Sequence, residues 1–274
     1  MIDRGRVRRA FHRQATDYDR HAAVQRRVVE RVAGMIAADG LDAHRLLDVG
    51  AGTGRLAFTL TERYPAATVA CVDLAFGMAR AAAHTLRGVP HALIATADAE
   101  HLPFRDDTFD LVVSTSTFQW LTSLDAAFAE AWRVLAPGGR FVFALFGEGT
   151  FRELKQTYQE ALALVGRAGE DRTHRFFSGD AVGAALSRAG FAGVAAQADD
   201  EVEWHPDVPT FLKAVRSIGA GNASPLPARG LAERRVMVEM MRTYTERFGG
   251  PDGVPATYTV VYGRGVKPPA AQST

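Results

Sequence analysis

The stretch Leu46-Leu47-Asp48-Val49-Gly50-Ala51-Gly52-Thr53-Gly54 decides the fold of this chain. Its first four residues predict a short buried strand, and the three glycines that follow predict a tight loop. A glycine has no Cβ, so the backbone N–H groups of such a loop can approach a ligand closely. A helix is predicted from residue 55 to about residue 64, where Pro65 ends it. The stretch therefore predicts a strand–loop–helix unit that binds a nucleotide.

The alternation of strands and helices continues along the chain. Further strands are predicted at 68–73, 91–95, 109–114, 140–146, 194–204 and 256–262, and further helices at 20–38, 76–86, 123–135, 151–165, 179–189, 208–218 and 231–248. Pro137-Gly138-Gly139 is interpreted as a turn. Such alternation implies a parallel sheet with helices on both faces, whose ligands bind beyond the carboxyl ends of the strands. The predicted fold class is a Rossmann-like α/β domain.

Composition narrows the range of functions. The chain has 274 residues, of which 47% are hydrophobic and 23% charged, as expected for a globular protein with a substantial core. It contains no apolar run of ~20 residues and no secretory signal, so we expect a cytoplasmic protein that does not span a membrane. The net charge of +1 argues against general nucleic-acid binding. The charge is uneven, however, at +4 for residues 1–40, +3 for residues 207–250 and −6 elsewhere.

Two aspartates follow the next two strands. Asp73 ends the second strand nineteen positions after Gly54, where a carboxylate can accept hydrogen bonds from both hydroxyls of a ribose. Asp98 follows the third strand and can accept from an exocyclic amine. Asp73 could instead cap the next helix, and Asp48 could simply orient the loop. A nicotinamide dehydrogenase is disfavoured because Arg55-Leu56 stands where the G-x-G-x-x-G fingerprint requires its last glycine.

Residues 48–54, Asp73, residues 98–99 and residues 133–139 resemble, in order and spacing, the four successive motifs of class I S-adenosylmethionine methyltransferases. The resemblance implies a seven-stranded sheet with an antiparallel last strand, and S-adenosylmethionine as cofactor. It implies that the glycines approach the methionine part of the cofactor and that Asp73 binds the ribose. It also implies that Asp98 and the Ala99 N–H form hydrogen bonds with the adenine, which two leucines flank. The residues assigned to this cofactor are Asp48, Gly50, Gly52, Asp73, Leu74, Asp98, Ala99, Leu102 and Ser114.

Segments outside these motifs resemble a narrower family. Residues 11–26, 119–120, 149–154, 174–177, 216–220 and 257–258 are similar to the malonyl-acyl carrier protein O-methyltransferases of biotin synthesis, the BioC family. The resemblance implies methylation of the free carboxylate of a malonyl thioester, with acyl carrier protein as the partner. Ala51 and Ser116-Thr117 depart from the usual family residues. The alternatives are another small-molecule O- or C-methyltransferase, acting on a quinone precursor or a free dicarboxylic acid, and a cofactor-binding module that regulates a partner.

The proposed chemistry needs few catalytic residues. A carboxylate with a pKa near ~4 is already ionised at neutral pH, so no general base and no metal site are expected. By resemblance, Tyr18 closes over the cofactor and the acceptor, although it could instead be an aromatic staple for the N-terminal segment. Gln119 is predicted to donate to the acceptor carboxylate, and Trp120 is interpreted mainly as packing. Arg175 and Arg216 are placed nearest the acyl group.

The predicted organisation is a core with helical additions. Residues 1–40 are expected to form an N-terminal helical lid segment, 41–147 the cofactor-binding core, 148–178 a helical insertion, 179–206 a core helix and strand, 207–250 a helical lid insertion and 251–266 the final core strand. The positive lids suggest docking of an acidic carrier protein. Long-range attraction is assigned to Lys213, Arg229, Arg234 and Arg235. The oligomeric state is left open.

Overall fold

The computed structural model describes residues 3–168, 173–217 and 231–269. The strands are β1 (Arg45–Val49), β2 (Thr68–Asp73), β3 (Ala92–Thr96), β4 (Phe109–Thr115), β5 (Leu135–Phe146), β6 (Ala192–His205) and β7 (Val254–Val266). The helices are α1 (Arg4–Gln14), α2 (Tyr18–His21), α3 (Ala23–Ala38), α4 (Arg55–Arg63), α5 (Phe76–Thr85), α6 (Asp125–Val134), α7 (Arg152–Leu164), α8 (Gly179–Arg188), α9 (Val208–Ser217) and α10 (Leu231–Phe248).

These strands form one seven-stranded sheet in the order β3-β2-β1-β4-β5-β7-β6. The first five strands pair in parallel, and β7 runs antiparallel to both β5 and β6. The strand order reverses between β1 and β4, which opens a crevice beyond their carboxyl ends. The predicted α/β class and the antiparallel last strand are therefore confirmed.

Alternating side chains give the sheet two buried faces. On β1, Leu46 packs into one core cluster and its neighbour Leu47 into the other, because successive strand residues point to opposite faces. Helix α3 covers the first face with Val28, Val32 and Ile36 among its buried residues, and α6 and α8 cover the second face. Each such buried side chain contributes about 1.5 to 3 kcal/mol to the free energy of unfolding.

Two local predictions differ from the structure. The helix predicted from residue 20 is divided at Ala22, whose non-helical backbone separates α2 from α3. Pro137-Gly138-Gly139 lies within β5 instead of before it, because the Gly138 N–H donates to the Lys267 carbonyl and the Lys267 N–H donates to the Gly139 carbonyl, both at 2.9 Å. Gly138 has a φ of +81°, which suits a glycine there. Among the helices described, none is long and apolar enough to cross a bilayer.

Candidate active site

The glycine loop after β1 is held by the backbone of β2. The N–H groups of Gly50 and Ala51 both donate to the Val72 carbonyl, at 2.7 and 3.0 Å. Gly50 has a φ of +69°, and a Cβ at this position would come within 2.2 Å of the Thr117 side chain. Gly52 has a φ of +56°, yet a Cβ there would meet no atom within 4 Å. Glycine is thus required at the first position by packing and at the second by backbone conformation.

Asp73 joins this loop to the start of α5. Its Oδ2 accepts a hydrogen bond from the Gly52 N–H at 3.0 Å, and its Oδ1 accepts one from the Ala75 N–H at 2.7 Å. Burial raises the pKa of Asp73 to about 6, although both backbone donors oppose the shift. The carboxylate therefore orders the glycine loop and the entry to the helix, while each oxygen retains a lone pair for a ligand.

Asp98 lies two residues after β3, the strand that pairs with the strand ending at Asp73. It contacts the N-terminal helix α1. Its Oδ1 accepts from the Glu100 N–H at 3.0 Å and from Arg4 Nη2 at 2.5 Å. The same guanidinium also pairs with the Glu100 carboxylate. Helix α1 is thereby tied over the carboxyl end of β3. Sequence reasoning missed this contact, which joins residues 94 positions apart.

A cavity with about 1070 Å³ of space, including its open mouth, lies between the loop, the strand ends and the N-terminal helices. Its lining includes Gly50, Gly52, Asp73, Leu74, Asp98 and Ala99, so the structure brings these predicted cofactor residues together. One carboxylate ends β2 and the other follows the neighbouring parallel strand β3, beside a glycine loop with room for a ligand. This arrangement suits a nucleoside whose ribose and base meet successive strand ends. The residues present therefore fit S-adenosylmethionine.

Three other residues assigned to the cofactor do not line this cavity. Asp48 is buried beneath the loop, and its carboxylate has no hydrogen bond of normal geometry among the described residues, although the Ala57 backbone N–H lies close enough to favour the charged form. Burial, together with repulsion from Asp73, raises the pKa of Asp48 to about 7. Ser114 donates its hydroxyl to the Val49 carbonyl at 2.7 Å, within the core. Leu102 packs into the second core cluster, and Leu121 is the leucine on that side that lines the cavity.

Tyr18 lines the cavity, as predicted for a residue that closes over the ligands. Its ring lies 6.2 Å from that of Phe11, whose ring is 5.8 Å from Trp120. The pKa of Tyr18 is raised by desolvation and by the Asp19 and Asp73 carboxylates, so its hydroxyl stays protonated at neutral pH. Asp19 accepts a hydrogen bond from the Thr53 hydroxyl at 3.0 Å, which fastens the segment to the glycine loop. Both interpretations of Tyr18, lid and aromatic staple, agree with these contacts.

Gln119 is placed differently from the prediction. Its side chain is 1% exposed, and its Nε2 donates to the Ser116 carbonyl at 2.6 Å. The backbone carbonyl of Gln119 accepts a hydrogen bond from His174 Nε2 at 2.9 Å. The amide therefore supports a turn instead of facing the cavity. The next residue, Trp120, does line the cavity, and its buried Nε1 has no hydrogen-bond partner in the part of the chain described.

Neither predicted substrate arginine lines the cofactor cavity. Arg175 is exposed at the edge of a separate polar cavity, and Arg216 is exposed in the last turn of α9. The arginines that do line the cofactor cavity are Arg4, Arg8, Arg26 and Arg55. Arg26 donates to the Asp19 carbonyl at 2.5 Å. Sequence reasoning did not assign these arginines to the cavity, although the arginine-rich N-terminal segment that carries three of them was a signal that could have found them.

Comparisons with known proteins agree with this geometry. A family model described as "Methyltransferase domain" matches residues 47–143. A malonyl-(acyl-carrier protein) O-methyltransferase of Geobacter sulfurreducens is 65% identical over 265 residues, covering 97% of this chain and 99% of the relative. The solved YcgJ protein of Bacillus subtilis has a TM-score of 0.59 at 21% identity, covering 87% of this chain and 99% of that one.

A phosphoethanolamine N-methyltransferase of Haemonchus contortus, solved in complex with S-adenosyl-L-methionine, has a TM-score of 0.54 at 20% identity. It is matched over 87% of this chain and 52% of that one. These two structures share the fold, whereas the Geobacter relative is similar in sequence along nearly the whole chain. This chain belongs to the family of malonyl-(acyl-carrier protein) O-methyltransferases.

Proposed function

We propose that this protein methylates the free carboxylate of a malonyl thioester carried on acyl carrier protein, an early step of biotin synthesis. The observation that carries the proposal is the 65% identity, over 97% of this chain, to the Geobacter relative of that name. The cavity supports it, because Asp73 and Asp98 offer acceptors for ribose hydroxyls and an adenine amine. S-adenosylmethionine, when bound, supplies a sulfonium-activated methyl group. A cytoplasmic location remains part of the proposal.

The protein's contribution is positioning and exclusion of water. The acceptor carboxylate is ionised at neutral pH and needs no base, so orienting one oxygen toward the methyl group is the main task. The rings of Phe11, Tyr18 and Trp120 form an apolar wall on the cavity. The Trp120 indole N–H is a buried donor available to an oxygen of the acyl group. Methyl transfer neutralises the negative carboxylate and the positive sulfonium, so a site that excludes water favours the reaction.

The carrier is proposed to dock on the lid formed by α9 and α10. Two arginines of α10 are already paired: Arg242 with Glu239 and Glu246, and Arg247 with Glu160. The exposed cations of this lid without an ion pair among the described residues are Lys213, Arg216, Arg234 and Arg235, of which Arg235 lies near enough to Glu239 to favour its charged form. Arg229 lies outside the described residues. The division into lid segments and core, with boundaries near residues 40, 147, 178, 206 and 250, belongs to this proposal.

The N-terminal segment contributes less positive charge than its composition suggests. On α3, Arg27 pairs with Glu201 at 2.7 Å and Arg31 pairs with Asp199, both on the edge strand β6. Arg31 also lies 4.1 Å from the centre of the Tyr262 ring. These arginines hold α3 against the sheet, so the docking attraction is assigned to the second lid.

The decisive experiment is mass spectrometry of malonyl-acyl carrier protein after incubation with the enzyme and S-adenosylmethionine. The proposal expects one added methyl group on the malonyl carboxylate, removable by esterase treatment. Succinyl carrier protein and free malonate serve as comparison acceptors. Methylation of free malonate alone would favour the dicarboxylic-acid alternative, and no turnover with any acceptor would favour a regulatory module.

A further inference from the structure

A second cavity lies beside the start of α7 and has no role in the site described above. It encloses about 1500 Å³ of space, including its open mouth. Among the described residues, its lining carries the cations Arg152, Lys155 and Arg175 and a single carboxylate, Glu148. The remaining lining residues are Gly149, Thr150, Gln156, Gln159, Thr173, His174 and Phe176. Cations and neutral hydrogen-bonding groups thus predominate, which suits an anionic ligand with polar neighbours.

The charges of this groove are not all equally available. Arg152 pairs with Asp200 at 2.5 Å, and its pKa is raised mainly by that hydrogen bond. Lys155 and Arg175 are exposed and have no ion pair with any residue in the described ranges. The pKa of His174 is lowered by burial, so its ring is neutral at physiological pH. Lys155 and Arg175 are therefore the cations that would meet an anion.

An aromatic pair separates this groove from the cofactor cavity. His174 lines the groove, Trp120 lines the cofactor cavity, and the two ring centres are 5.2 Å apart. His174 Nε2 donates to the Gln119 carbonyl, because a carbonyl oxygen can only accept. This hydrogen bond fixes the imidazole against the indole. The groove and the methyl-transfer site are therefore neighbours, with this one pair of rings between them.

We propose that this groove binds the phosphodiester of a phosphopantetheine arm, through Lys155 and Arg175. The inference rests on the proposed function, since it concerns the same substrate. A phosphopantetheine thioester has its only anionic phosphate at one end of a long uncharged chain and the acyl group at the other. An enzyme that acts on the acyl end can therefore hold the phosphate at a separate basic site. Arg175 then contacts the arm and not the malonyl carboxylate.

The binding of two small probes tests this site without the carrier protein, and so without any contribution from carrier docking. The probes are 4′-phosphopantetheine and pantetheine, which differ only in the phosphate, titrated calorimetrically into the full-length protein with S-adenosylhomocysteine. We expect the wild type to bind the phosphorylated probe at least tenfold more tightly. The Lys155→Ala/Arg175→Ala variant should lose this preference and bind both probes alike. The matched control, Arg87→Ala/Arg105→Ala, removes two exposed arginines outside both cavities and should keep it.

Equal binding of the two probes by the wild type, or a preference that survives in the double variant, would overturn the inference. In turnover, the double variant should raise KM for malonyl-acyl carrier protein and malonyl-coenzyme A alike, because both carry the arm, with kcat nearly unchanged. A rise in KM for malonyl-acyl carrier protein alone would mean that Lys155 and Arg175 contact the carrier protein and not the arm, and would also contradict the proposal. Failure of the proposed function would show differently, as absence of the methyl ester with wild type.

Discussion

The Gly52 N–H donates to the Asp73 carboxylate at 3.0 Å, linking the glycine loop after β1 to the end of β2. One side chain thus orders the loop and presents acceptor oxygens to the cavity. We expect Asp73→Ala to weaken S-adenosylhomocysteine binding by about 1.5 to 3 kcal/mol, the scale of a hydrogen bond to a charged group. Calorimetry measures this, with circular dichroism to check the fold. Unchanged affinity in a folded variant would remove the ribose assignment.

Asp48 should make stability depend on pH. Its pKa is raised to about 7 in the folded state from an ordinary value of 3.8, so the folded protein binds more protons than the unfolded chain between these values. The contribution of Asp48 to the free energy of unfolding therefore falls as pH rises through this window. Relative to wild type, Asp48→Asn should gain up to about 4 kcal/mol between pH 4 and pH 8.

Urea unfolding of both proteins at several pH values tests the Asp48 prediction. Asp252→Asn, at an exposed position, serves as the control and should show no such trend. A stability difference between Asp48→Asn and wild type that stays constant with pH would contradict the raised pKa.

Tyr18 should act through its ring. Its packing beside Phe11 and its position on the cavity predict that Tyr18→Phe keeps kcat/KM within about threefold of wild type. Tyr18→Ala should lower kcat/KM about 100-fold, because loss of a positioning wall misplaces the reactants. Initial rates with malonyl-acyl carrier protein measure both. If the phenylalanine variant falls as far as the alanine variant, the hydroxyl takes part in the reaction.

Methyl transfer should be insensitive to pH in the neutral range. The acceptor carboxylate is ionised throughout, and the raised pKa of Tyr18 keeps its hydroxyl protonated. We expect the single-turnover rate to stay flat between about pH 6.5 and 8.5. Rapid-quench measurements across that range provide the test. A rate that rises tenfold per pH unit would point to a catalytic base or a hydroxyl acceptor.

Carrier docking should depend on the exposed cations of the second lid. The Lys213→Ala/Arg234→Ala/Arg235→Ala variant should lower kcat/KM for malonyl-acyl carrier protein about five- to tenfold at low salt, with less effect on malonyl-coenzyme A. The difference should disappear at high salt, where screening already removes the attraction. A charge-matched control is Arg80→Ala/Arg87→Ala/Arg105→Ala. Equal loss in both triple variants would indicate a general charge effect.

The fold was largely predictable because its signals are local. The β2 strand lies at 68–73 as predicted, since an apolar run followed by an aspartate marks both its body and its end. Asp73 and Asp98 meet the same cavity because parallel neighbours end at one edge of a sheet. The motifs of the cofactor site are thus tied to strand ends, which sequence patterns locate well.

The placement of single side chains was less predictable. Gln119 was expected to face the acceptor, but the 3₁₀ turn at Phe118–Trp120 directs its amide to the Ser116 carbonyl and leaves Trp120 on the cavity. Arg4 reaches Asp98 because α1 packs against α5, which itself contacts β3. Neither rotation within a turn nor pairing across such a distance is encoded in hydrophobic periodicity, which reports only the buried face of each element.

The position of β7 between β5 and β6 has a consequence during biosynthesis. Translation delivers the strands that carry the cofactor loop first, but β5 obtains its second neighbour only when residues 254–266 leave the ribosome. Until then β5 presents an unpaired edge, and β6 has no strand to join. Nascent chains at this stage expose a template for intermolecular strand pairing. The nascent chain should therefore need chaperones most in the last stage of synthesis, after strands β1 to β4 around the glycine loop have formed.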